Sequence, residues 1–188
     1  MKISYTQYSL INKWLESGKN EDLDKAINYY LGFVDPPTSA MLRGTKIHEA
    51  IAKKDLVFTE FEETNRVREL HIELEVDKHI LHGYADCMID DIKLVDYKAS
   101  NAEFYKTSMF YKNGLFEHYK DQLHFYSIIK PALQFGKLIR VDKKVLKKSG
   151  IEKIMMIEES EAVEFTDESR SRLLDKVMYS IERFEKYI

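Results

Sequence analysis

The chain has 188 residues, 44% of them hydrophobic and 12% aromatic, a size and composition that fit one compact domain around a single core. No apolar run approaches the roughly 20 residues needed to cross a bilayer, and the opening Met1-Lys2-Ile3-Ser4-Tyr5 lacks the apolar region of a secretory leader, so a cytoplasmic location is expected. A single cysteine, Cys87, excludes an internal disulfide and any zinc ribbon or iron–sulfur cluster held by this chain alone, which leaves oxygen and nitrogen as metal ligands. The net charge of −3 and pI near 6.1 argue against nonspecific affinity for duplex nucleic acid, which rests on phosphate neutralisation by Lys and Arg.

Apolar residues recur at helical spacing over residues 5–17, 21–31 and 38–54, with polar residues at the starts, so the first third (about 1–55) is expected to be helical. Over 68–76 the period changes to two. Leu70, Ile72, Leu74 and Val76 share one face and His71, Glu73 and Glu75 the other, the pattern of a half-buried strand. Strands are expected at 81–89 and 92–99, joined at Asp90-Asp91 as a hairpin. An amphipathic helix at 116–133 would complete a catalytic sheet and helix over about 65–133, and strands at 137–146 and 154–165 with a helix at 167–188 would close the domain. The expected fold is α/β, a mixed sheet flanked by helices.

Four short segments carry chemistry. In Val95-Asp96-Tyr97-Lys98, strand geometry points Asp96 and Lys98 the same way. On the preceding strand, Gly83-Tyr84-Ala85-Asp86 offers a second carboxylate and a glycine that admits a close neighbour. Two adjacent carboxylates repel unless a cation neutralises them. In the helix before the sheet, Gly44 and His48 lie one turn apart, and in the helix after it Gln122 and Tyr126 do the same. Each segment alone is ordinary: an exposed strand, a packing glycine beside a half-buried histidine, a core tyrosine with a solvated neighbour. No second histidine follows Glu49 at zincin spacing.

In this order, Gly44…His48, Gly83…Asp86, Asp96-Tyr97-Lys98 and Gln122…Tyr126 together resemble the RecB-type branch of the PD-(D/E)XK nucleases. That branch includes the iron–sulfur nucleases of CRISPR adaptation and is related to lambda-type phage exonucleases. The resemblance spans residues 4–126 and implies a restriction-endonuclease-like core. It assigns divalent-metal binding to His48, Asp86, Asp96 and the main-chain carbonyl of Tyr97, with Glu73 as a possible addition. It makes Lys98 the catalytic lysine and gives Gln122 and Tyr126 a role in positioning the substrate backbone and active-site groups. The chain departs from the iron–sulfur members near Ser4-Tyr5-Thr6-Gln7-Tyr8, where Trp14 occupies the neighbourhood of their cysteine, and no cysteine follows Tyr126, so no cluster is expected. It carries no Walker motif either, so any helicase would be a separate partner.

Carboxylate and carbonyl ligands suit Mg²⁺ or Mn²⁺, and an imidazole tilts preference toward Mn²⁺. The expected reaction is phosphodiester hydrolysis, with Lys98 orienting water or stabilising the pentacovalent state and proton transfer unassigned. For Asp86 and Asp96 to share a face, even positions must oppose even positions. A two-residue turn at Asp90-Asp91 would pair Ala85 with Asp96, so an odd-length loop or a bulge is predicted there. Lys106, Lys112, Lys120, Lys143 and Lys144 are candidate contacts to a nucleic-acid backbone, although a solvated charged edge explains them as well. By analogy with end-processing relatives the substrate is DNA with a free end, in recombination, repair or phage and mobile-element processing. A structure- or site-specific endonuclease and a noncatalytic nucleic-acid-binding or assembly protein are the alternatives.

Overall fold

A computed structural model of the chain describes residues 1–52, 66–99, 119–145 and 152–188. The elements are β1 (Lys2–Ser4), α1 (Tyr5–Ser17), α2 (Asn20–Tyr30), α3 (Ser39–Ala52), β2 (Arg66–Val76), β3 (His79–Ile89), β4 (Lys93–Ala99), α4 (Lys120–Ile129), β5 (Phe135–Val145), β6 (Glu152–Glu159), β7 (Val163–Glu164) and α5 (Asp167–Phe184). The α/β arrangement is as expected, but α4 and α5 end at 129 and 184 instead of 133 and 188, and the strands differ in two places. The three-residue β1 has no sequence period to reveal it, and the strand expected over 154–165 is broken at Ser160-Glu161-Ala162 into β6 and β7. Among the described residues no helix is long and apolar enough to cross a membrane.

One seven-stranded sheet organises the described residues. β2 pairs antiparallel along the whole of β3, from Arg66↔Ile89 to Val76↔His79. The opposite edge of β3 is therefore divided: β1 takes residues 80–82 in parallel, and β4 takes residues 87–89 antiparallel. Gly83 to Asp86 lie between these two pairings, where the sheet splits. Beyond β4, β5 runs parallel to it from Lys93↔Phe135 to Ala99↔Val141, and β6 and β7 pair antiparallel with β5.

Helices cover both faces. On one, Leu123 and Phe125 of α4 and Val177 and Ile181 of α5 bury against Ile3, Leu81, Ala85, Leu94 and Leu138. On the other, Ile47 of α3 packs with Cys87, Ile89, Val95, Tyr97, Ile139 and Val141. Burying both faces requires a sheet whose middle strands are apolar throughout, which is why Leu94 to Tyr97 are buried without a break, Asp96 included. Helix ends are tied locally. Ser4 Oγ accepts from Gln7 N (3.2 Å), Gly18 closes α1 at φ 65°, and Thr166 with Ser169 forms a reciprocal capping box on α5.

Candidate active site

The site begins with the β3–β4 register. Cys87↔Val95, Met88↔Leu94 and Ile89↔Lys93 are paired, so the loop is the odd three-residue Asp90-Asp91-Ile92, and continuing the register sets Asp86 across from Asp96. Asp90 and Asp91 both take left-handed backbone (φ 52° and 60°), a conformation that aspartate tolerates better than most residues. The Ile92 carbonyl accepts from Gln134 N (2.8 Å) and Phe135 N (3.2 Å), which ties the turn to the start of β5. The odd loop predicted from residue parity is thus present.

Beyond Cys87↔Val95 the strands part. The N–H of Tyr97 donates to Asp86 Oδ2 (2.8 Å), so a carboxylate stands where a neighbouring strand's carbonyl would normally accept. Alternation along β3 also breaks here. Leu81 and Ala85 pack with α4 and α5, whereas Cys87 and Ile89, of the same parity, pack with α3, and Met88 has come round to the α4 side. On β2 the break coincides with Glu69, which continues the register opposite Asp86 and has φ 50°. A non-glycine residue in left-handed backbone inside a strand stores about 1–3 kcal/mol of strain. That strain turns the Glu69 carboxylate toward Asp86.

The result is a trio. Ligand atoms of His48, Glu69 and Asp86 lie within 4.8 Å of one another, and His48 Nδ1 is 3.4 Å from Asp86 Oδ1. Octahedral ligands about 2.0–2.1 Å from an ion stand up to about twice that apart, so the donor set and its spacing fit a small divalent cation after slight contraction. Burial opposes protonation of His48, but the hydrogen bond to Asp86 and the nearby carboxylate charges outweigh it and hold the imidazole pKa above its ordinary value. Burial, then the charge of Asp86, raises the carboxyl of Glu69. Both shifts favour a proton beside the Asp86 carboxylate, where negative charges crowd one another.

The second half of the site hangs on Lys98. Its Nζ lies 2.7 Å from Asp96 Oδ2 and donates to Gln122 Oε1 (2.8 Å), and Gln122 Nε2 donates to the Tyr126 hydroxyl (3.1 Å). The ring of Tyr119 sits with its centroid 4.6 Å from Nζ. Asp96 is 2% exposed, and this burial, reinforced by Asp86 against the opposing pull of Lys98, raises its pKa to about 6. The hydroxyl of Tyr126 is pushed above its ordinary value by burial and by Asp96, so it stays protonated near neutrality. Tyr126 also lies against Gly83: a Cβ at Gly83 would fall 2.4 Å from its Cε1. Gly44 lies beside Ala99, to which a Cβ would make an ordinary 3.8 Å contact.

The candidates therefore fall into groups. His48, Asp86, Asp96, Tyr97, Lys98, Gln122 and Tyr126 converge on the split between β3 and β4, the first two in the trio and Asp96 on the lysine. Glu73 lies elsewhere: it pairs with His82 in register, four residues along the strand from Glu69, and its carboxylate meets Lys2 (3.5 Å). Glu69 is the glutamate that stands beside His48 and Asp86. Nothing in the alternating pattern distinguishes Glu69 from Glu73 or Glu75, because the signal is a backbone kink at a residue type that does not advertise one. Tyr119 was likewise unmarked. Lys120 opens α4. Lys106 and Lys112 lie outside the described residues, as do the side chains of Lys143 and Lys144 on β5.

No protein-family model matches the chain, and no curated protein matches it in sequence. Solved structures do. A phage-related exonuclease from Haemophilus somnus 129PT superposes with a TM-score of 0.64 over 99% of this chain and 94% of that one, at 12% identity. The alkaline exonuclease LHK-Exo from Laribacter hongkongensis gives 0.63 at 14% identity, and its complex with dAMP 0.62 at 13%, each over 98% of this chain and 88% of that one. The fold is that of these exonucleases. In this restriction-endonuclease-like fold the split sheet sets Asp86 and Asp96 on neighbouring strands, with α3 supplying His48 and α4 supplying Gln122 and Tyr126.

Proposed function

We propose that this chain is a divalent-metal-dependent DNA exonuclease. One observation carries the reading: the His48–Glu69–Asp86 trio and the Asp96–Lys98–Gln122–Tyr126 chain meet at the same gap in the sheet. Lys98 is half-buried and its ammonium lies between a carboxylate and an amide oxygen, with no apolar packing role for that charged end. Next to a cation site it suits a reaction in which negative charge builds on a phosphate. The exonuclease fold and the dAMP bound by one protein that shares it support DNA as substrate.

Mg²⁺ or Mn²⁺ would be held by His48, Glu69 and Asp86, with Asp96 and the Tyr97 carbonyl beside them, and would supply Lewis-acid polarisation of the phosphate. Lys98 does the rest of the charge work. Its ammonium donates to Gln122 and is ion-paired with Asp96, and among the described residues it keeps donor capacity for a phosphate oxygen or for the attacking water. Gln122 holds the lysine by its carbonyl and the Tyr126 hydroxyl by its amide, so the Tyr126 O–H proton is free to contact the substrate backbone. Lys120 at the start of α4 is a further backbone contact in this reading. A cytoplasmic role in recombination, repair or phage DNA processing, with any helicase a separate protein, follows the same analogy.

The test is digestion of end-labelled linear and closed circular DNA, single- and double-stranded, with Mg²⁺ or Mn²⁺, by wild type and Lys98→Ala. Degradation of linear DNA only, reduced at least about 10²-fold in the variant, is the expected result. Cutting of circles would make the protein an endonuclease. A protein that binds these DNAs but cleaves none of them would be a noncatalytic binding protein.

A further inference from the structure

Tyr119 is the residue that precedes α4. It stands three residues before Gln122, which stands four before Tyr126, so one side of this helix presents a ring, an amide and a hydroxyl in a row. The amide accepts from Lys98 Nζ (2.8 Å) and donates to the Tyr126 hydroxyl (3.1 Å), and the ring lies against the same ammonium, its centroid 4.6 Å from Nζ. The ring is itself held in place. Tyr119 is half-buried and packs against the core that α4 and α5 share.

Lys98 gains something from this ring that its polar partners do not supply. Its ammonium ends a flexible stem, and its side chain is only 17% exposed. Asp96 Oδ2, 2.7 Å from Nζ, belongs to a carboxylate that stands beside the proposed metal ligands, so the ammonium and a bound cation would both draw on it. The face of an aromatic ring attracts an ammonium through its quadrupole but offers no oxygen to a hard divalent ion. The ring is therefore a contact for which such an ion does not compete. It also shields one side of the ammonium from water, and attraction of this kind strengthens as water is removed.

We propose that Tyr119 is a positioning residue for Lys98: its ring keeps the ammonium in place while the Asp96 carboxylate is shared, and its hydroxyl is not required. The proposal rests on the nuclease reading for its effect on rate. Tyr119 acts through Lys98, whose interaction with the phosphate strengthens as charge builds there, so loss of the ring lowers kcat and leaves KM unchanged.

The contact and the rate are measured separately. In metal-free protein carrying isotope-labelled lysine, the Cε protons of Lys98, identified by their absence from Lys98→Met, are expected upfield of the other lysines because the ammonium lies over a ring. They should stay there in Tyr119→Phe and return to the common lysine position in Tyr119→Leu and Tyr119→Met. A Lys98 signal among the other lysines in wild type, or one that neither non-aromatic variant moves, would overturn the proposal. With Mn²⁺ and end-labelled linear DNA, the two non-aromatic variants are expected to lose about 2- to 30-fold in kcat, Tyr119→Phe to match wild type, and Tyr119→Leu to cost nothing further when added to Lys98→Ala. An equal loss in the Lys98→Ala background or in Tyr119→Phe would show that the ring does not act through the lysine. Wild-type kcat in both non-aromatic variants would overturn the proposal and leave the nuclease reading standing, whereas no metal-dependent cleavage by wild type would sink the nuclease reading and the positioning role with it.

Discussion

Glu69 and Gly83 show how much one residue decides. Glu69 spends its backbone strain on bringing a carboxylate to His48 and Asp86. Replacing it by glycine relieves the left-handed φ but loosens the unfolded chain, two effects of about 0.4–1 kcal/mol or slightly more that oppose each other. Glu69→Gly is therefore expected to unfold in urea within about 1 kcal/mol of wild type while its Mn²⁺ affinity, measured by calorimetry, falls at least about tenfold. Wild-type affinity in this variant would remove Glu69 from the site. At Gly83 the constraint is space. Tyr126 is 6% exposed and cannot swing away, so Gly83→Ala is expected to cost about 1–3 kcal/mol of stability. Gly83→Ala combined with Tyr126→Ala should lose less than the sum of the two singles in urea unfolding, because the ring that clashes is gone. Additive losses would mean the contact is not what glycine serves.

At the scale of elements, most of the fold is legible in the pattern of residues. The period-3.6 segments became α1, α2 and α3 within one or two residues where their ends are described, α4 and α5 stop four residues short of the expected 133 and 188, and the parity of Asp86 and Asp96 correctly demanded an odd loop. The exceptions share a cause: β1, the β6–β7 break and the kink at Glu69 depend on which strand lies alongside, and pairing partners are distant in sequence. Local signals do set helix ends. Thr166→Ala removes one side of the capping box on α5 and is expected to destabilise the protein by about 1 kcal/mol, with Thr166→Ser close to wild type. Both variants should keep the proposed nuclease activity at the wild-type level, since none of the site residues named above lies on α5. An unaltered urea midpoint for Thr166→Ala would show that α5 is held by packing alone.

At the scale of the molecule, the site and the stability are linked through charge. Burial raises Asp96 to a pKa of about 6, so without a cation its contribution to stability falls as pH rises from the ordinary carboxylate range through that value. His48, raised by Asp86, contributes most while protonated, and that contribution is lost as pH rises through its folded pKa. A divalent ion competes with both protons. Its stabilisation is therefore expected to grow with pH: at a Mn²⁺ concentration about 100-fold above Kd, about 2.7 kcal/mol, or roughly 5–10 °C in Tm for a domain of this size, near pH 7.5, and much less near pH 5.5. Calorimetric scans with Mn²⁺ and with EDTA at the two pH values measure this. An equal shift at both would mean that the ion binds elsewhere.

Residue order alone determined the α/β class and the succession of helices and strands, because periodicity and parity are local properties of a chain, and the resemblance of four short motifs supplied His48, Asp86, Asp96, Lys98, Gln122 and Tyr126 as candidates. Only the tertiary structure decided that β1 and β4 share one edge of β3 and that Glu69 rather than Glu73 turns toward His48. Those outcomes depend on strands competing for the same backbone hydrogen bonds and on strain that packing elsewhere sustains, and neither leaves a pattern in neighbouring residues.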